Sequence, residues 1–96
     1  MANEGFHELP DKLSAAAMDL HRAIQSLTEE LEAVDWYNQR AEACADPQLK
    51  AILIHNRDEE KEHAAMLLEW IRRHDSVADH YLGEILFKSG PIAGEH

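Results

Sequence analysis

The stretch Leu49–Ile71, LKAILIHNRDEEKEHAAMLLEWI, decides the fold. A seam runs through Leu49, Leu53, Asn56, Glu60, His63, Leu67 and Trp70 in steps of four and three, which is the period of an α-helix and not the alternation of a strand. Asp46-Pro47 just ahead supplies a capping acid and a proline at the first helical position, where its missing amide costs nothing. Arg72 and Arg73 suit the negative end of the helix dipole, so the spacing predicts a helix over residues 47–74. Its seam is apolar at both ends, Leu49, Ile52 and Leu53 on one side and Met66, Leu67, Trp70 and Ile71 on the other, with Trp70 and Met66 read as core packing. The middle offers Asn56, Glu60 and His63 instead. A carboxylate and an imidazole in a packed seam are costly unless something compensates them. Glu60 and His63 stand at i and i+3, so an oxygen and a nitrogen project from one face with room for a metal ion between them.

Working outward, Leu13, Ala17, Leu20, Ile24, Leu27, Leu31 and Val34 repeat the same spacing and predict a first helix over residues 11–43. At that length it reaches on the order of 45–50 Å, which suits a bundle. Glu30 falls beside Leu27, Leu31 and Val34, within the acidic run Glu29, Glu30 and Glu32. The short connection between the two helices makes them an antiparallel hairpin. Ser76, with Asp79 three residues on, starts a third helix over residues 76–88, with Val77, Tyr81 and Ile85, joined by Leu82 and Phe87, on its apolar side. The expectation is an all-α domain over residues 11–90, between flexible segments at 1–10 and 91–96.

Composition limits the partners. The 96 residues allow one small domain that buries a modest share of its surface, so self-association is expected. Nineteen acidic against nine basic residues give a net charge of -10, which disfavours nucleic acid and anionic membranes and favours cations. No apolar run approaches a membrane span, and no signal-peptide pattern opens the sequence. Cys44, the single cysteine, reads as an incidental loop thiol, and the expected setting is a reducing, cytoplasmic one. His7, His21, His74, His80 and His96 read as solvated or interface side chains.

Carboxylate-bridged di-iron bundles take a Glu from each of two helices and a Glu-x-x-His from each of two more, all directed into one core. One Glu30 and one Glu60-x-x-His63 are half of that set. A two-fold dimer of hairpins doubles every ligand and closes a ferritin-like four-helix bundle around two cations. Mixed oxygen and nitrogen donors suit iron or manganese better than structural zinc. Asn56, one turn before Glu60, is a candidate to orient a ligand. Two rival readings of the same residues stand beside an iron-oxidising di-iron site of that kind: a rubrerythrin-like peroxide-reducing protein, whose rubredoxin-like cysteine pairs are missing here, and a metal-free dimerisation module in which Glu60 and His63 form a structural pair.

The segments Glu29–Tyr37, His55–Ala64 and Leu68–Arg73, continued by Tyr81-Leu82 and Leu86-Phe87 up to Gly90-Pro91-Ile92, resemble the encapsulated ferritins over roughly residues 10–92. That resemblance implies a ferroxidase, oxidising Fe(II) with dioxygen, carried as cargo in an encapsulin nanocompartment for iron storage and detoxification. It implies a homodimer assembled into a ring of dimers, five in known members, which is a decamer. It places the di-iron ligands at Glu30, Glu60 and His63, and the positions where metal enters at Glu29, Glu32 and Trp36 with Tyr37 near the site. A peripheral metal site falls at His55, Glu59 and Glu62. Family members usually carry a C-terminal targeting peptide after a linker, and the sequence to His96 shows none; either the sequence is truncated or the protein reaches its shell differently, and targeting is inferred from the resemblance of the helical region alone.

Overall fold

Capping side chains set where each helix begins. In the computed structural model, which describes residues 5–94, a single 3-10 turn at Pro10–Lys12 precedes α1 (Ala15–Ala43), α2 (Pro47–His74) and α3 (Ser76–Ile85). There is no strand among the described residues. The first helix starts at Ala15 and not at residue 11, because Pro10–Lys12 closes its own turn and Ser14 then accepts from the Ala17 amide at 3.0 Å. Asp46 caps α2 as the sequence predicts, accepting from the Leu49 amide at 2.8 Å with Pro47 behind it. For α3 the cap is Asp75 and not Ser76: its carboxylate takes both the Val77 and Ala78 amides. Asp79 is drawn instead to Arg72 at 2.6 Å. That helix stops at Ile85, three residues before the expected end, since Leu86 turns extended and Phe87 takes a left-handed φ of 59°.

The hairpin closes on small residues. Among the described residues only Ala23, Ala41, Ala64 and Ile71 are buried, and the molecule measures 50 × 42 × 20 Å, the thickness of two helices. Three alanines let α1 and α2 approach closely, but two helices alone cannot enclose large side chains. Ile24 and Leu31, expected in the seam, are 47% and 55% exposed, and Met66, expected in the core, is 58% exposed. Trp70 is half-buried, with His74 stacked on it at 3.9 Å. On α3 the expected apolar side is turned outward: Val77, Tyr81 and Ile85 are exposed, while Ala78 and Leu82 are the better covered.

Of the segment expected to be a flexible arm, residues 1–4 lie outside the described residues, and Phe6 rests against the His21 ring at 4.5 Å. Of the expected tail, residues 95–96, His96 among them, also lie outside. Cys44 sits at the end of α1, its thiol 3.6 Å from the Asp46 carbonyl. No helix among the described residues is long and apolar enough to cross a membrane.

Arg72 ties α3 to the hairpin: it grips both oxygens of Glu69 at 2.7 Å and reaches Asp79. Hydrogen bonds from Arg72, and next from Arg73, hold the Glu69 carboxyl at about 2, against an ordinary 4.5. A carboxylate whose pKa falls on folding stabilises the fold above its unfolded value and loses that contribution as pH drops. The Glu69 contribution is therefore complete above about pH 4.5 and gone near pH 2. Acid titration followed by circular dichroism should show the wild type losing stability through that window, with the loss diminished in Glu69→Gln. Independently, Asp46→Ala should destabilise α2 by about 1 kcal/mol in chemical denaturation, the usual worth of an N-cap.

Candidate metal centre

Glu30 on α1 and Glu60 and His63 on α2 converge halfway along the hairpin. One ligand-capable atom from each lies within 4.8 Å of the others. His63 Nδ1 stands 3.5 Å from Glu30 Oε2 and 3.4 Å from Glu60 Oε2, so one nitrogen faces two carboxylates at distances too long for good hydrogen bonds. The helical period brings Glu60 and His63 to one face, and antiparallel packing sets Glu30 opposite them. Both carboxylates are three-quarters covered, at 25% and 24% exposure, whereas the imidazole is 43% exposed.

The electrostatics of this cluster are unbalanced. Glu30 Oε2 is buried and has no hydrogen-bond partner, although a covered carboxylate oxygen ordinarily finds a donor. Among the described residues no lysine or arginine reaches within 4.0 Å of Glu30 or Glu60. Two acceptor-only groups side by side, one with an orphaned oxygen, could hold a cation. Two carboxylate oxygens and an imidazole nitrogen are a donor set that fits iron or manganese.

The remaining predicted residues lie apart from this cluster. Glu29, Glu32 and Trp36 are exposed, Trp36 at 51%, and none joins a group of three metal-capable side chains among the described residues. Tyr37 is half-buried, with the Arg40 guanidinium 5.4 Å from its ring centre. His55 and Glu59 pair at 2.9 Å on the surface, but Glu62 does not complete a trio with them. Asn56 is half-buried one turn from Glu60. Missed from the sequence was Arg57, 22% exposed, whose guanidinium crosses the seam to Asn38 at 3.1 Å. Its place one turn before Glu60 was the available signal.

Comparison with known proteins bears on this geometry. Residues 5–89 match the EncFtn-like family model. The chain is 58% identical over 86 residues to an encapsulated ferritin-like protein of Rhodospirillum rubrum, covering 90% of this chain and 61% of that protein. It therefore spans about three fifths of that relative's length. It is 40% identical over 72 residues to the encapsulin nanocompartment cargo protein EncC of Myxococcus xanthus, covering 73% of this chain and 54% of that one. The crystal structure of a Nitrosomonas europaea protein superposes with a TM-score of 0.91 at 63% identity, over 95% of this chain and 100% of that chain.

An orphaned carboxylate makes a prediction whose sign is opposite to that of most substitutions. In metal-free protein, Glu30→Gln relieves the repulsion from Glu60 and adds two N–H donors. Its stability should rise by about 1 kcal/mol in chemical denaturation. A decrease would mean that the carboxylate is not strained as the geometry indicates.

Proposed function

Because this chain belongs to the EncFtn-like family, the encapsulated ferritins, we propose that it is a ferroxidase, oxidising Fe(II) to Fe(III) with dioxygen at a di-iron site shared by two copies. The observation that carries the reading is the partnerless Glu30 oxygen facing Glu60 and His63. Iron is the substrate, and this donor set fits it: hard carboxylate oxygens for either oxidation state and one imidazole to terminate the coordination.

A single hairpin offers three ligands, fewer than two ions need. A second copy related by a two-fold axis supplies the same three, giving four carboxylates and two imidazoles. The dimer is supported by the row that His63 shares with Ile52 and Met66, eleven residues before it and three after on one helical face, which stand 56% and 58% exposed in a single chain. Pairing there also withdraws the half-exposed imidazole from water. Ile24 and Leu31 form another exposed apolar row on α1, and this second surface supports further assembly into a ring of dimers, a decamer by the family resemblance.

Each Fe(II) gives up one electron; dioxygen takes the pair, with two protons from solvent, and leaves as hydrogen peroxide. The protein's part is electrostatic. Replacing divalent by trivalent ions strengthens every attraction to the carboxylates, most of all where water is scarce, so the site favours the oxidised product. Exposed Glu29 and Glu32, with Trp36 and Tyr37 nearby in the chain, gather Fe(II) towards the site, and His55, Glu59 and Glu62 offer a weaker peripheral stop. A hairpin encloses no volume in which mineral could grow. The product therefore goes to an enclosing encapsulin shell in the cytoplasm, a role supported by the names of the Rhodospirillum and Myxococcus relatives.

Anaerobic Fe(II) titration should saturate at about two irons per dimer, and admitting oxygen should consume it in proportion to iron. Glu60→Ala should abolish both. Absence of binding in the wild type would sink the metal reading, while binding without oxygen uptake would leave a metal protein that is no ferroxidase.

A further inference from the structure

Arg57 raises a question about the metal seat. It precedes Glu60 by three residues on α2, the spacing at which a guanidinium and a carboxylate ordinarily pair. It is also well covered, at 22% exposure, so it would make a strong partner for an anion. Yet it touches neither Glu60 nor Glu30, and the Glu30 oxygen stays without any donor. Instead its Nη1 donates across the seam to Asn38 Oδ1 at 3.1 Å, and its Nε to Asp58 Oδ1 at 3.0 Å. Among the described residues, Arg57–Asn38 is the one side-chain hydrogen bond linking α1 and α2.

We infer that Asn38 is a positioning residue that, with Asp58, holds the Arg57 guanidinium off Glu60, so that the carboxylates remain free for a metal cation. Resting on the metal-binding reading above, this assigns the freedom of the two carboxylates from an internal cation to a restraint outside the ligand set. Were Arg57 released, it would form an internal ion pair with Glu60, and incoming metal would first have to displace it. The restraint is divided usefully. Asp58 sits on the helix of Arg57 and accepts from Nε, while Asn38 reaches from the other helix and accepts from Nη1. Being neutral, Asn38 holds the guanidinium by geometry without cancelling its charge.

The test is a set of Co(II) titrations of the full chain, followed by visible absorption and calorimetry. Asn38→Ala should raise the apparent dissociation constant about tenfold, the effect of a charge-assisted hydrogen bond that metal must break. Arg57→Gln should bind at least as tightly as wild type. The double variant Asn38→Ala/Arg57→Gln should regain wild-type affinity, because no guanidinium remains to compete. That rescue separates positioning from a merely structural role, in which the double variant would be no better than the single. Unchanged affinity in Asn38→Ala, or no rescue in the double variant, overturns the inference while leaving the metal site intact. Failure of the wild type to bind Co(II) overturns the metal reading itself.

Discussion

The structure depends on an interaction that the polypeptide leaves unmade. Glu30 and Glu60 face one another over His63 in the middle of the hairpin seam, and one buried carboxylate oxygen finds no donor. Uncompensated anions in a packed seam work against folding, and a chain selected for stability alone would place Leu or Ala there. On the proposed metal-binding reading, stability is given up at this place for binding. The rest of the hairpin offsets that cost by ordinary means: capped helix starts at Ser14, Asp46 and Asp75, close alanine contacts, and the Arg72 link from Glu69 to Asp79.

The same economy explains why one copy looks unfinished. A two-helix layer 20 Å thick can bury only what lies on the line between its axes, and that line holds mainly alanines. Isoleucines, leucines, methionine and tyrosine on the other faces stay partly in water, and each such side chain stands to contribute about 1.5–3 kcal/mol on full burial. In the proposed dimer, association would complete the core and the ligand set together. Folding and metal binding would then be linked, since whatever strengthens such a dimer orders the site, and a cation in the site draws the copies together.

Much of this was legible in the sequence, and the parts that were not share a cause. The 3–4 spacing of Leu49, Leu53, Glu60, His63 and Leu67 fixed a helix and one face of it, and a polar block inside that face pointed to Glu60 and His63. Glu30 followed because it sits on the matching stripe of the other helix. Periodicity, however, says which residues are apolar and not what covers them. Ile24, Leu31 and Met66 obey the period yet remain exposed in the single chain, and the Val77, Tyr81 and Ile85 row of α3 faces outward although its spacing is that of a packed stripe. Where a chain carries more apolar rows than it has helices to cover them, sequence alone cannot allot rows to contacts within and between copies. The cap of α3 was misplaced because Ser76 and Asp75 are both competent, and only backbone geometry chose the aspartate.

Charge placement completes the synthesis. A chain with a net charge of -10 could easily neutralise two seam glutamates with its own cations, and nine lysines and arginines are at hand. Four of them pair elsewhere: Arg22 with Asp19, Lys61 with Asp58, Arg72 and Arg73 with Glu69. Arg57, a single turn from Glu60, is held by Asn38 and Asp58. Removing a cation from an anionic seat matters as much to metal affinity as supplying ligands, because an internal ion pair is already paid for in entropy and would compete at any metal concentration. On the proposed reading five groups define the seat: three that would face the cation, and two that hold the chain's own cation away.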